Sequence, residues 1–90
     1  MRNTESDENL WVGFSKMLEE QLEKYFTLHG EETVPPGLYD RVLNEVERSL
    51  FKATLKRSRD NQLKAAQILG INRNTLRKKM VKIKQKEGNP

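Results

Sequence analysis

The chain has no cysteine and a single histidine, His29, among 90 residues. Disulfides and thiolate metal sites are excluded, and one imidazole with no second ligand beside it makes neither a metal centre nor a nucleophile–base pair. No apolar run approaches the ~20 residues of a membrane helix, and Met1 to Asn9 is polar and acidic where a signal peptide would be apolar. A cytoplasmic location is the expectation. The carboxylates Glu19, Glu20 and Glu23 alternate with Lys16 and Lys24, which is ordinary helix-surface patterning and not an acid/base pair. Catalysis is therefore the weakest function class, and no catalytic residue, metal or cofactor is expected.

What the chain has is charge, unevenly placed. Residues 1–51 hold 5 Lys/Arg and 11 Asp/Glu, a net of −6, whereas residues 52–90 hold 12 and 2, a net of +10. A basic half that meets a polyanion and an acidic half that faces away from it would produce this polarity.

Residues 1–6 lack periodicity and are expected to be flexible. Trp11, Phe14, Leu18, Leu22 and Tyr25 recur every three or four residues, with Met17 and Phe26 widening the stripe, so a first amphipathic helix runs from about Asp7 to Leu28 or His29. The Pro35-Pro36 pair, flanked by Gly30 and Gly37, makes residues 30–37 a loop. A second helix follows, with Leu38, Val42, Val46, Leu50 and Ala53 in one stripe and Tyr39, Leu43, Phe51 and Leu55 beside it. That is more apolar surface than one antiparallel neighbour covers. A bundle shared between two chains would require it, so residues 7–58 are the expected dimerisation region.

Residues 60–84 read as a helix-turn-helix. Gln62 to Leu69 has Ala65, Ala66, Ile68 and Leu69 on an inner face; Gly70 is a stop that takes the left-handed conformation freely; Asn72 is an N-cap for a helix from Arg73. The joint Gly70-Ile71-Asn72 is three residues long, the length of the turn in units that place a second helix in the DNA major groove. Leu76, Met80 and Ile83 share one stripe, with Asn74, Lys78 and Lys82 opposite. Asn61 caps the shorter helix, and residues 85–90 are expected to be a flexible tail.

These residues carry a resemblance. Leu43-x-Glu45-Val46-Glu47, Asn61-Gln62 with Ala65-Ala66, and above all the run Gly70-Ile71-Asn72-Arg73-Asn74-Thr75-Leu76-Arg77-Lys78-Lys79 are similar to the Fis family of bacterial nucleoid proteins. They also resemble the closely similar DNA-binding domain that closes NtrC-type enhancer-binding activators. The resemblance implies an all-α homodimer of four helices per subunit, the first two forming a dimeric core and the last two binding and bending double-stranded DNA, with RNA polymerase a candidate further partner. By position it makes Asn72, Arg73 and Lys78 base contacts. It makes Asn61, Lys64, Thr75, Arg77 and Lys79 phosphate contacts.

Physical chemistry supports most of that allocation. An arginine at a helix start, as Arg73, can fork onto guanine O6 and N7; Lys78 stands one turn further on the outer face; Thr75 can donate to a phosphate beside the helix dipole. Asn61 and Asn72 are caps first and DNA contacts second. Two positions depart from the family: Leu63 stands where a small polar residue is common, implying one phosphate contact fewer, and Ser49 where proline is common, allowing a straighter second helix. The residues before the first helix lack the alternation of β-hairpin arms, so no invertase stimulation is expected. Met1 and the acidic N-terminus favour a stand-alone architectural protein over the output domain of a larger regulator. A membrane-surface role for the basic segment from Arg73 to Lys86 is the remote reading, because its apolar side is narrow and lacks Trp or Phe.

Overall fold

The computed structural model describes residues 4–87, in which four helices and no strand are found: α1 (Thr4–His29), α2 (Leu38–Arg57), α3 (Gln62–Leu69) and α4 (Arg73–Glu87). The all-α expectation holds. Residues 1–3 and 88–90 of the expected flexible ends lie outside the described residues, but both outer helices run further than their apolar stripes. Helix α1 starts at Thr4, three residues before Asp7; no glycine or proline stands before Gly13, and Asp7 and Glu8 fall in the first turns, where the helix dipole favours negative charge. Helix α4 continues through Gln85, Lys86 and Glu87. All three are good helix formers, and the first breaker is Gly88.

The chain divides into two units, one ending at Pro36 and the other beginning at Gly37. In the first, α1 has a half-buried row, Leu18, Leu22, Tyr25 and His29, and no residue that is fully buried among those described. Its other apolar side chains are exposed, Trp11 by 64% and Met17 by 51%. The Trp11 and Phe14 rings meet edge to face at 6.2 Å. Gly30, at φ 59°, ends α1, donating its N–H to the carbonyls of Phe26 and Thr27 at 3.2 and 3.1 Å.

The second unit is built by α2, α3 and α4, which pack on one another around Phe51, Ala65, Ala66 and Leu76. Leu55, Leu69, Ile71, Met80 and Ile83 pack round that centre. Along α2 the buried side changes. Leu38, Val42 and Val46 of the expected stripe are half-buried, but Leu50 and Ala53 are exposed, and Phe51, Thr54 and Ser58 are buried instead. That face receives α3 and α4. Thr54 and Ser58 can enter it because each hydroxyl donates to a carbonyl of its own helix, Leu50 at 2.7 Å and Leu55 at 3.2 Å, so no polar group is left unsatisfied. Hydropathy alone hides both residues.

Two joints set the helix directions. After α2 the N–H groups of Arg59 and Asp60 donate to the carbonyls of Lys56 and Leu55 at 3.3 and 2.8 Å, with Arg59 and Asp60 themselves at φ 56° and 64°. After α3, Gly70 at φ 72° and Ile71 repeat the pattern, donating to Gln67 and Ala66 at 3.3 and 3.1 Å. Each is a Schellman-type ending, one on glycine and one on arginine. A Cβ at Gly70 would meet nothing within 4 Å, so Gly70→Ala is expected to cost only the left-handed backbone term, about 1–2 kcal/mol. Arg59→Gly relieves the same term and offsets it by the ~0.5–1 kcal/mol entropy of glycine, leaving stability level or slightly raised. Urea unfolding at one protein concentration checks this contrast; equal losses in both variants would contradict it.

Candidate nucleic-acid interface

Helix α4 begins on Asn72, whose Oδ1 accepts the N–H of Asn74 at 2.8 Å. Helix α3 begins on Asn61, whose Oδ1 accepts the N–H of Lys64 at 3.1 Å. Both asparagines are therefore caps, and each keeps its amide NH2 free of this role. A cap that orders the first turn also aims the N–H groups and side chains that follow it.

Leu76, wholly buried, fixes the rotation of α4. With Leu76, Met80 and Ile83 inward, the 100° step of a helix turns Asn74, Lys78 and Lys82 outward, roughly opposite. All three are exposed, as are Arg73, Thr75 and Arg77. Arg73 and Lys78 are ~7.5 Å apart along the axis, about two base steps of duplex DNA. The structure thus gathers Asn72, Arg73, Thr75, Arg77 and Lys78 on the first turns and outer side of one helix. Asn61 and Lys64 are exposed at the start of α3, and Leu63 beside them is 52% exposed and brings no polar group.

Two of the expected contact residues have partners within the protein, one three residues away and one on another helix. One guanidinium nitrogen of Arg77 donates to the Asn74 side-chain oxygen at 3.2 Å, which orients the arginine along the outer side. Lys79 turns towards α2, its ammonium 2.8 Å from a Glu47 carboxylate oxygen. Lys82 and Asn74, neither of them an expected contact, stand in the outward row with Lys78. The four-residue period of that row was the signal for them.

A small helix, a three-residue glycine turn and a second helix presenting Arg, Lys, Asn and Thr define a helix-turn-helix DNA-binding protein. Residues 42–82 match the family described as bacterial regulatory protein, Fis family. The chain is 46% identical over 68 residues to a putative Fis-like DNA-binding protein of Neisseria meningitidis, covering 74% of this chain and 84% of that one. It is 44% identical over 66 residues to the DNA-binding protein Fis of Proteus mirabilis, covering 72% and 65%. With the DNA-binding transcriptional regulator NtrC of Azospirillum brasilense the identity is 54% over 68 residues, covering 76% of this chain and 14% of that much longer protein. The chain belongs to the Fis family of bacterial regulatory proteins.

The caps give a test that separates structure from recognition. Asn61→Ala and Asn72→Ala are each expected to lower unfolding free energy by about 1 kcal/mol, whereas Asn72→Asp, which still accepts the Asn74 N–H, should stay within about 0.5 kcal/mol. Thermal unfolding monitored by circular dichroism reads the difference. An Asn72→Asp loss as large as that of Asn72→Ala would contradict the capping role.

Proposed function

We propose that the chain acts as a homodimer that lays α4 of each subunit in the major groove of double-stranded DNA and bends it, organising the nucleoid and regulating transcription. The observation that carries this reading is the outward face of α4, where a buried leucine behind the helix leaves Asn74, Lys78 and Lys82 together on the open side, with Arg73 exposed at the first residue of the helix. Arg73, Lys78 and the Asn72 amide read base edges. Thr75 and Arg77, with Asn61 and Lys64 at the start of α3, hold the phosphates. Lys79 joins them after leaving Glu47.

The homodimer rests on exposed apolar side chains of α1 and, separately, of α2. Trp11, Phe14, Met17, Tyr39, Leu43 and Leu50 are all exposed in the single chain, more apolar surface than a monomer of this size keeps. A second copy of the chain would cover the exposed apolar side chains of each unit. Sedimentation should give twice the 10.5 kDa chain mass.

A second reading is favoured by the higher identity to NtrC, 54% against 46% for the Fis-like protein: the chain serves as the site-specific DNA-binding part of an NtrC-type regulator. Fluorescence anisotropy against AT-rich, GC-rich and scrambled duplexes separates the two. Affinities within about tenfold support backbone and shape readout by an architectural protein, and a preference of 10³-fold or more for one duplex, on the order seen for specific regulators, supports the second. In the same assay Arg73→Ala should cost about 1–3 kcal/mol and flatten base preference, while Arg77→Ala weakens all duplexes nearly alike. Identical effects on preference would overturn the allocation of the two arginines.

A further inference from the structure

The ion pair between Lys79 and Glu47 joins two residues 32 positions apart. Lys79 stands one turn beyond Thr75 and three residues before Lys82, on the row that borders the outward face of α4. Its partner comes from α2. The side chains keep 42% and 36% of their exposure, so water and ions reach the pair, and an ion pair this open holds weakly. An ammonium has three donors, and a phosphate oxygen offers it the same charge and acceptor chemistry as the carboxylate it already holds.

We propose that Glu47 is an internal competitor for DNA: its carboxylate occupies Lys79 in the free protein and gives the ammonium up to a backbone phosphate when α4 enters the groove. This rests on the DNA-binding reading above. Glu47 is then a positioning residue that touches no DNA. It holds a long, flexible side chain extended at the border of the interface and sets a threshold on affinity that is the same for every base sequence, because only a phosphate is exchanged. Fewer weakly bound complexes form on DNA for a given concentration of protein. The high charge density of a duplex is what outbids the carboxylate, where a lone small anion does not.

The experiment measures the affinity of the full chain for AT-rich and GC-rich duplexes at one fixed salt concentration, for the parent and for Glu47→Gln, Lys79→Gln and the double variant. Glu45→Gln is the charge control: Glu45 contacts Arg41 at 3.4 Å and Arg48 at 3.3 Å on the surface of α2, not Lys79. Glu47→Gln is expected to bind both duplexes about 3–10-fold more tightly, Glu45→Gln to change affinity less than twofold, and Lys79→Gln to weaken both alike. In the double variant the gain from Glu47→Gln should vanish, which a purely structural role for the pair would not produce. Weaker binding by Glu47→Gln would overturn the inference and make the pair a strut; a gain that survives in the double variant, or is matched by Glu45→Gln, would also overturn it. A parent chain that binds neither duplex would overturn the DNA reading itself and this inference with it.

Discussion

Everything that faces outward on α4 depends on one side chain that faces inward. Leu76 has no exposed surface and sits with Phe51 of α2 and the two alanines of α3. Ala65 and Ala66 are small enough to let the helix backbones come close, and the branched leucine packs against them. Once Leu76 is seated, the helical period places Lys78 and its row on the open side; a rotation of one residue step would turn lysine into the core at a prohibitive cost in desolvation. The outward face of α4 is oriented by the hydrophobic effect and only then given its character by charge.

Backbone satisfaction does the rest of the positioning. Asn61 and Asn72 start their helices, and the paired donations of Arg59 with Asp60 and of Gly70 with Ile71 finish the preceding ones. These local bonds leave little freedom in the two turns, which fixes the directions of α3 and α4 in a three-helix unit with few buried residues. The Fis-family match, residues 42–82, lies inside this second unit.

Much of this was legible in the residues. Gly70, Asn61 and Asn72 announce the turn and both caps through chemistry that acts within three residues, and the spacing of Leu76, Met80 and Ile83 announces the rotation of α4. What was not legible depends on distant partners. The burial of Thr54 and Ser58 needs the docking of α3 and α4 on that face, and hydroxyls that bond their own helix look polar in any stripe. The pairing of Lys79 with Glu47 crosses 32 positions, beyond any local period. The left-handed Arg59 is hidden for a different reason: its turn is local, but an arginine, unlike a glycine, carries no signature of positive φ. Both helix ends overran their apolar stripes because backbone propensity carries a helix on where packing stops.

In the proposed function the outward basic face of α4 meets a phosphate backbone. The most direct measurement is the slope of log K against log salt for the parent chain on one duplex. A dimer neutralising about 6–10 phosphates gives a slope of about −5 to −9. A slope near zero would contradict the account, because it would mean that few counterions leave the DNA and that the lysines and arginines gathered on α4 serve something else.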